Sequence, residues 1–153
     1  MSEYQLTVKR KLSEEERQAL YEKHWPVLQR LASRYLPMVD TSRGMPCRVE
    51  FVDALRGSWL LDKRDDRPPY EDVVSGAGFA FGMLLAELLA MEWCLIEDTF
   101  GESISMVKFG SRPEATYREV SVPPFSYVAK RKDTQNVEVF ADGMRKFEEM
   151  IKG

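Results

Sequence analysis

The chain has 153 residues, a length typical of one domain with one hydrophobic core. Hydrophobic residues make up 44% and charged residues 31%, so the composition excludes the disordered and fibrous classes. A formal net charge of −3 argues against a general binder of nucleic acid or anionic membranes. The N-terminus lacks a signal-peptide pattern, and the longest apolar run contains Glu87. We therefore expect a cytoplasmic protein without a membrane span.

The first third of the chain predicts a short extended segment followed by a helix. Residues 4–9 alternate weakly, which indicates either an edge strand or an ordered arm. Ser13 and Glu16 have the spacing of a capping box, and a helical apolar period then runs to Tyr35. Pro26 interrupts that period, because proline lacks a backbone donor and restricts the residue before it. We expect either a kink or the meeting of two helices there.

The middle of the chain predicts two further helices separated by a charged loop. Val52, Leu55 and Trp59 fall at helical spacing, up to about residue 61. Residues 62–69 are highly charged and end in two prolines, which indicates an exposed loop. An almost wholly apolar helix is predicted from about residue 70 to residue 90. Its Gly78 and Gly82 would lie on one face, where another element can approach closely.

Strand signals dominate after the apolar helix. Three strands are predicted, over Glu92–Asp98, residues 103–109 and residues 117–122, with a turn at residues 99–101 in which Gly101 can take a positive φ. Residues 126–132 indicate a short helical turn, and Asn136 can cap a final helix. One apolar stripe is predicted on that helix, consisting of Val137, Phe140, Met144, Phe147 and Ile151.

These elements predict a fold class of α+β in a single domain over residues 1–153. Its N-terminal helices precede a central apolar helix, a three- to four-stranded antiparallel meander and a C-terminal helix packed on that sheet.

Few residue types suited to catalysis or metal binding occur in a supporting pattern. His24 is the single histidine, and a partly exposed structural role is favoured over catalysis. Cys47 and Cys94 lack metal-like spacing; Cys94 is typical of a core residue, and a disulfide between the two stays open. We expect no catalytic group, no metal and no cofactor.

Charged clusters offer two alternative surfaces. Glu97 and Asp98 are adjacent, so in a strand they point to opposite faces, and with Glu102 they form either a solvated strand end or an acidic rim for a basic partner. A basic cluster, with aromatic residues interleaved, could suit single-stranded nucleic acid. Packing of the last helix onto the sheet by Phe125 and Tyr127 is the favoured interpretation. The cluster and its aromatic residues are Lys108, Arg112, Tyr117, Arg118, Phe125, Tyr127, Lys130, Arg131 and Lys132.

The second half of the chain resembles an uncharacterised bacterial family, a domain of unknown function. The matching elements are Gly78 to Gly82 in the apolar helix, Glu92-Trp93 opening a strand, Asp98 to Gly101 at its turn, Val122-Pro123 and Lys130-Arg131. An acidic residue often follows the second glycine in that family, where this chain has Met83. The resemblance implies a small bacterial α+β domain without established catalytic residues, and it associates the chain with accessory or immunity-type proteins.

Three functional hypotheses follow. The first is a non-enzymatic protein-binding module of a bacterial cell, most concretely an immunity protein that blocks a toxin with a basic cleft. The second is an enzyme or small-ligand binder with a pocket between the central helix and the sheet, in which Glu87 or Glu92 faces an enclosed cavity. The third is an oligomeric structural or regulatory subunit. The predicted partner contacts are Glu97, Asp98 and Glu102, with Trp59, Asp62, Asp65 and Asp66 as a second surface. Core or boundary packing is the more common alternative for Trp59.

Overall fold

The computed structural model of the chain describes residues 6–109 and 120–152. The strands are β1 (Leu6–Lys11), β2 (Glu92–Asp98), β3 (Gly101–Lys108) and β4 (Val120–Val122). The helices are α1 (Glu14–Tyr35), α2 (Val49–Leu61), α3 (Tyr70–Leu89), α4 (Pro124–Ala129) and α5 (Val139–Lys152). The strands form one sheet in the order β1-β2-β3-β4, and every neighbouring pair is antiparallel. The predicted α+β fold class is confirmed.

The structure decides between the alternatives predicted for the N-terminal extended segment and for the helix at Pro26. β1 pairs with β2 at the edge of the sheet, so residues 6–11 form the edge strand. The capping box is present, since Ser13 Oγ accepts from the Glu16 amide and the Glu16 carboxylate accepts from the Ser13 amide. α1 continues through Pro26 as one helix, so the alternative of two helices meeting there is wrong. Because proline has no N–H group, the carbonyl of Glu22, one turn earlier, lacks its helical donor. Pro26 and Glu22 are both exposed, so water can reach that carbonyl.

The apolar helix α3 lies at the centre of the helical layer, in contact with α1, α2 and α4. A side-chain carbon added at Gly78 would come within 2.7 Å of the Phe125 ring and 3.2 Å of Phe125 Cα. At Gly82 such a carbon would overlap the six-membered ring of Trp93 on β2. The two glycines therefore allow close packing of α3 against α4 and the sheet, as their spacing predicts.

Among the described residues, α3 is the one helix long and apolar enough to cross a membrane, with a mean hydropathy of 1.5. More than half of its apolar segment, 56%, is buried inside the protein. Burial of this kind is typical of the core helix of a soluble protein.

The sheet has an apolar cluster on each face. Trp93, Leu95 and Ile104 share the face that packs on the helices and belong to the main core. Cys94 and Ile96 point to the other face, where they form a second cluster with Val107. Cys94 is buried, as predicted, and no disulfide joins it to the exposed Cys47. β4 begins at Val120, and the earlier part of the predicted third strand lies outside the described residues.

Two charged side chains of α2 hold the C-terminal segment. Arg56 is only 1% exposed and donates to the carbonyl oxygens of Arg131, Thr134 and Asn136 at 2.6, 2.8 and 3.0 Å. Asp53 accepts from the backbone amides of Phe140 and Ala141, at 2.8 and 3.1 Å. Because of these contacts, α5 packs mostly on α2, with smaller contacts to α3 and β4, so the prediction that this helix packs mainly on the sheet is wrong.

The start of α5 differs slightly from the sequence prediction. Asn136 Oδ1 accepts from the Glu138 amide, one residue before the helix begins at Val139. Val137 therefore precedes the helix and is exposed, while Phe140 and Met144 of the predicted stripe are buried. Tyr127 donates its hydroxyl to the Val139 carbonyl, which confirms that this aromatic residue packs the last helix.

Candidate partner-binding surface

The end of the β2–β3 hairpin holds a charged cluster. Glu97 and Glu102 lie directly opposite each other on neighbouring strands. Lys9 of β1 bridges them, with its Nζ 3.0 Å from Glu97 Oε2 and 2.8 Å from Glu102 Oε1. The ammonium offsets the repulsion between the two carboxylates and holds the pKa of Glu102 below its ordinary value. Both glutamate side chains remain about half exposed, at 51%.

The turn of this hairpin fixes an aromatic ring in solvent. The Asp98 carboxylate accepts from the Phe100 amide at 2.8 Å, and Gly101 takes a φ of +117°. The predicted turn is confirmed, and it leaves Phe100 90% exposed. We call Glu97, Asp98, Phe100 and Glu102 the acidic tip. Among the described residues, the half-exposed carboxylates of Glu97 and Glu102 share the ammonium of Lys9.

Phe100 is the member of the acidic tip that sequence reasoning missed. The signal was its place between Asp98 and Gly101, inside the predicted turn. Because a residue at a two-strand turn has no sheet face to pack on, a phenylalanine there points to solvent unless another element covers it.

Trp59 does not form part of an exposed second surface, so that prediction is wrong. Its side chain is buried, with 6% exposure, and its Nε1 donates to the Pro68 carbonyl at 2.7 Å. The guanidinium of Arg67 covers one face of the indole at 4.0 Å, and the Tyr70 ring packs edge-on. These contacts come from Arg67, Pro68 and Tyr70, eight to eleven positions later in the chain, so the charged loop folds back over the tryptophan.

Asp62 is buried and does not belong to an exposed second surface, so that prediction is also wrong. Its side chain is 2% exposed and accepts hydrogen bonds from Arg64, from Arg34 Nε at 3.0 Å and from the Tyr35 hydroxyl at 2.7 Å. The Arg64 side chain, with Tyr35 and Arg34, holds the pKa of Asp62 well below its usual range. Asp65 and Asp66 are exposed, and Asp66 pairs with Arg34. This group anchors the loop to α1.

An open groove of about 900 Å³ lies beside the acidic tip, between α1, the first turns of α3, α4 and the sheet. Leu95 and Ile104 form its floor, and Glu102 lies at its edge. Glu87 and Glu92 are exposed on other parts of the molecule and do not line the groove. Within the described part of the chain, neither glutamate therefore faces an enclosed cavity, so that part of the second hypothesis is wrong.

His24 lies in the wall of the groove and is more buried than predicted, with 8% exposure. Its Nδ1 is 2.7 Å from Ser75 Oγ. Burial lowers the pKa of His24 to about 4, with a smaller contribution from Lys23, so the imidazole is neutral at pH 7. Ser75 is inside α3, where backbone amides donate to carbonyls one turn earlier and cannot stabilise an oxyanion. His24 and Ser75 thus form a hydrogen-bonded pair on the groove wall.

His24 and Asp53 should give opposite pH dependences. The pKa of His24 falls from 6.5 to about 4 on folding, so its contribution to stability decreases as pH falls through this interval. Burial raises the pKa of Asp53 from 3.8 to about 6, so its contribution increases as pH falls. Between about pH 4.5 and 6 the two effects should largely cancel. We expect Asp53→Asn to lose stability on acidification and His24→Gln to gain it.

Urea unfolding at several pH values measures this prediction. The lowered carboxylate pKa values, such as those of Glu16 and Asp62, act below this interval. Asp65→Asn, at an exposed position, is the matched control and should reproduce the nearly flat profile of the wild type. If stability changed with pH in the same way in all three variants, the opposite pH dependences assigned to His24 and Asp53 would be refuted.

In comparisons with known proteins, no family model, no curated protein and no solved structure matches this chain. Similarity to the uncharacterised bacterial family stays a prediction based on the sequence elements. Several residues of the basic cluster, Arg112, Tyr117 and Arg118, lie outside the described residues, so the nucleic-acid alternative also stays untested.

Proposed function

We propose that the chain is a non-enzymatic protein-binding module that contacts a basic partner through the acidic tip. One observation supports this most strongly, namely that the Phe100 ring is 90% exposed between carboxylates on both strands. An aromatic side chain with few rotatable bonds provides a large contact area at low entropic cost, and such residues often dominate binding energy.

The backbone around Phe100 is already ordered before binding. The Asp98 hydrogen bond and the paired strands fix the turn, so little backbone entropy remains to be lost when a partner covers the ring. Glu97 and Glu102 flank the ring and attract positively charged surfaces, which mainly raises the association rate. The arrangement favours a partner with an apolar pocket surrounded by lysine or arginine.

The most concrete form of the proposal is an immunity-type protein of a bacterial cytoplasm. Its partner would be a cognate toxin whose catalytic cleft is basic, as a cleft that handles nucleotides or nucleic acid often is. The exposed ring and its negative surroundings complement such a cleft in shape and charge. Insertion of the hairpin would exclude the toxin's substrate by occupying the same space.

Affinity capture from the native cell with tagged variants tests the proposal. We expect the wild-type chain to retain one partner, and Phe100→Ser to lower the retained amount at least about tenfold, the loss typical of an aromatic anchor. Reversal of Glu97 and Glu102 to lysine should slow association and weaken its dependence on salt.

Val137→Ser is the matched control, because it also removes an exposed apolar side chain, 59% exposed, but two residues before α5 begins. This variant should retain the partner as the wild type does. Equal retention by the Phe100→Ser and Val137→Ser variants would exclude the acidic tip as the contact. Retention that increases after charge reversal would exclude a basic partner.

A further inference from the structure

The wall of the groove beside the acidic tip holds a buried imidazole with a nitrogen that the protein leaves open. His24 is more than nine-tenths buried, and its Nδ1 is occupied by Ser75. Among the described residues, its Nε2 has no hydrogen-bond partner. No side-chain nitrogen or oxygen that is fully enclosed lacks a partner there, so Nε2 must be reached by solvent from the groove. A buried imidazole with one open nitrogen on a groove wall is a hydrogen-bonding point for a ligand.

Aromatic rings lie beside the His24 imidazole. The centroid of the Phe125 ring is 4.5 Å from that of the His24 ring, and the stacked Phe79 ring is 5.9 Å from it. Trp93 extends the same group, with ring contacts to both phenylalanines. Phe125 is the ring of this group that lines the groove, so a planar ligand there would pack against it and the imidazole through offset or edge contacts.

The charges around the groove do not favour an ion. Lys23 and Glu71 lie on the rim with opposite charge, whereas Glu16 is paired with Arg10 and Glu102 with Lys9. The floor is apolar, formed by Leu95 and Ile104. An electrically neutral ligand with an apolar body is therefore the best match, since a charged one would lose its hydration without a dedicated counter-ion.

We propose that the groove binds a small neutral aromatic alcohol, a phenol, with its ring over Leu95 and Ile104 and its hydroxyl hydrogen-bonded to His24 Nε2. A hydroxyl fits either tautomer of the imidazole. When Ser75 donates to Nδ1, Nε2–H donates to the ligand oxygen; when Nδ1–H donates to Ser75, Nε2 accepts from the ligand hydroxyl. The groove binds this ligand whether or not a protein is held at the acidic tip.

Titration with p-cresol, followed by the methyl resonances of Leu95 and Ile104, tests the assignment. Toluene is the matched probe because it has the same ring and methyl group without the hydroxyl. We expect p-cresol to bind with a Kd on the order of 1 mM, and about tenfold more tightly than toluene, the effect of one hydrogen bond. Shifts confined to residues outside the groove, or equal affinity for the two probes, would overturn the proposal.

Two variants separate the hydrogen bond from the shape of the groove. His24→Phe keeps an aromatic ring but removes Nε2, so it should abolish the preference for p-cresol over toluene. Ile104→Phe reduces the space above the floor and should weaken the binding of both probes. Asp65→Asn, at an exposed position away from the groove, should change the binding of neither. A tenfold preference for p-cresol that survives in the His24→Phe variant would refute the role of His24.

Discussion

Replacing Arg56 with methionine is expected to lower the free energy of unfolding by about 3 kcal/mol or more. Methionine fills much of the same volume but cannot donate hydrogen bonds. The carbonyl oxygens of Arg131, Thr134 and Asn136 would lose a buried donor together, and each such loss typically costs about 1–3 kcal/mol before relaxation. Urea unfolding followed by circular dichroism measures the loss.

Two further variants show whether hydrogen bonding or charge is responsible. Arg56→Lys keeps the charge but cannot reach three carbonyls with one planar group, so it should also be strongly destabilising. Arg30→Met, at an exposed position of α1, should stay within about 0.5 kcal/mol of the wild type. If Arg56→Met is no more destabilising than Arg30→Met, Arg56 does not hold the C-terminal segment.

Gly78→Ala is expected to destabilise the protein by about 1–3 kcal/mol, although alanine normally favours a helix. The added methyl group would lie 2.7 Å from the Phe125 ring and 3.2 Å from Phe125 Cα. Rotation of the ring cannot relieve the backbone contact, so α4 must move away from α3. Thermal and urea unfolding of the purified variant measure the effect.

Gly57→Ala provides the matched control for the glycine prediction. Gly57 is inside α2, and a methyl group there would meet no atom within 4 Å. This variant should be more stable than the wild type by about 0.5–1 kcal/mol, because alanine loses less backbone entropy in a helix. Stabilisation of similar size in the Gly78→Ala variant would contradict the close approach of α3 and α4.

Local sequence patterns predict much of this fold. The capping box at Ser13, the period of the apolar helix and the turn at Gly101 depend on residues a few positions apart, and all three are present. Gly78 and Gly82 indicate a close-packed face for the same reason, although the sequence does not identify Phe125 and Trp93 as the groups that fill it.

Contacts between distant segments explain the predictions that are wrong. Asp62 belongs to a stretch that looks exposed by composition, yet Arg34 and Tyr35, more than 25 positions earlier, enclose its carboxylate. Trp59 is covered by a loop whose path depends on that anchoring. Arg56 gives no local signal of burial, because its acceptors are backbone carbonyls about 80 positions away.

The candidate site also combines features that the sequence predicts with features that it does not. Glu97 and Glu102 are predicted from the strand end, and the antiparallel register brings them together. The groove depends on how α1, α3 and α4 pack over the sheet, which no local pattern specifies. His24 shows the consequence: its open Nε2 is a property of the tertiary packing and not of the residues beside it in the chain.

Photo-cross-linking in the native cell tests the proposed contact most directly, with Phe100 replaced by p-benzoylphenylalanine. The exposed ring should be covered by one basic partner, so irradiation should give one cross-linked species. The same amino acid at Val137, also exposed but two residues before α5 begins, should give none. No product from position 100, or identical products from the two positions, would contradict binding through the acidic tip.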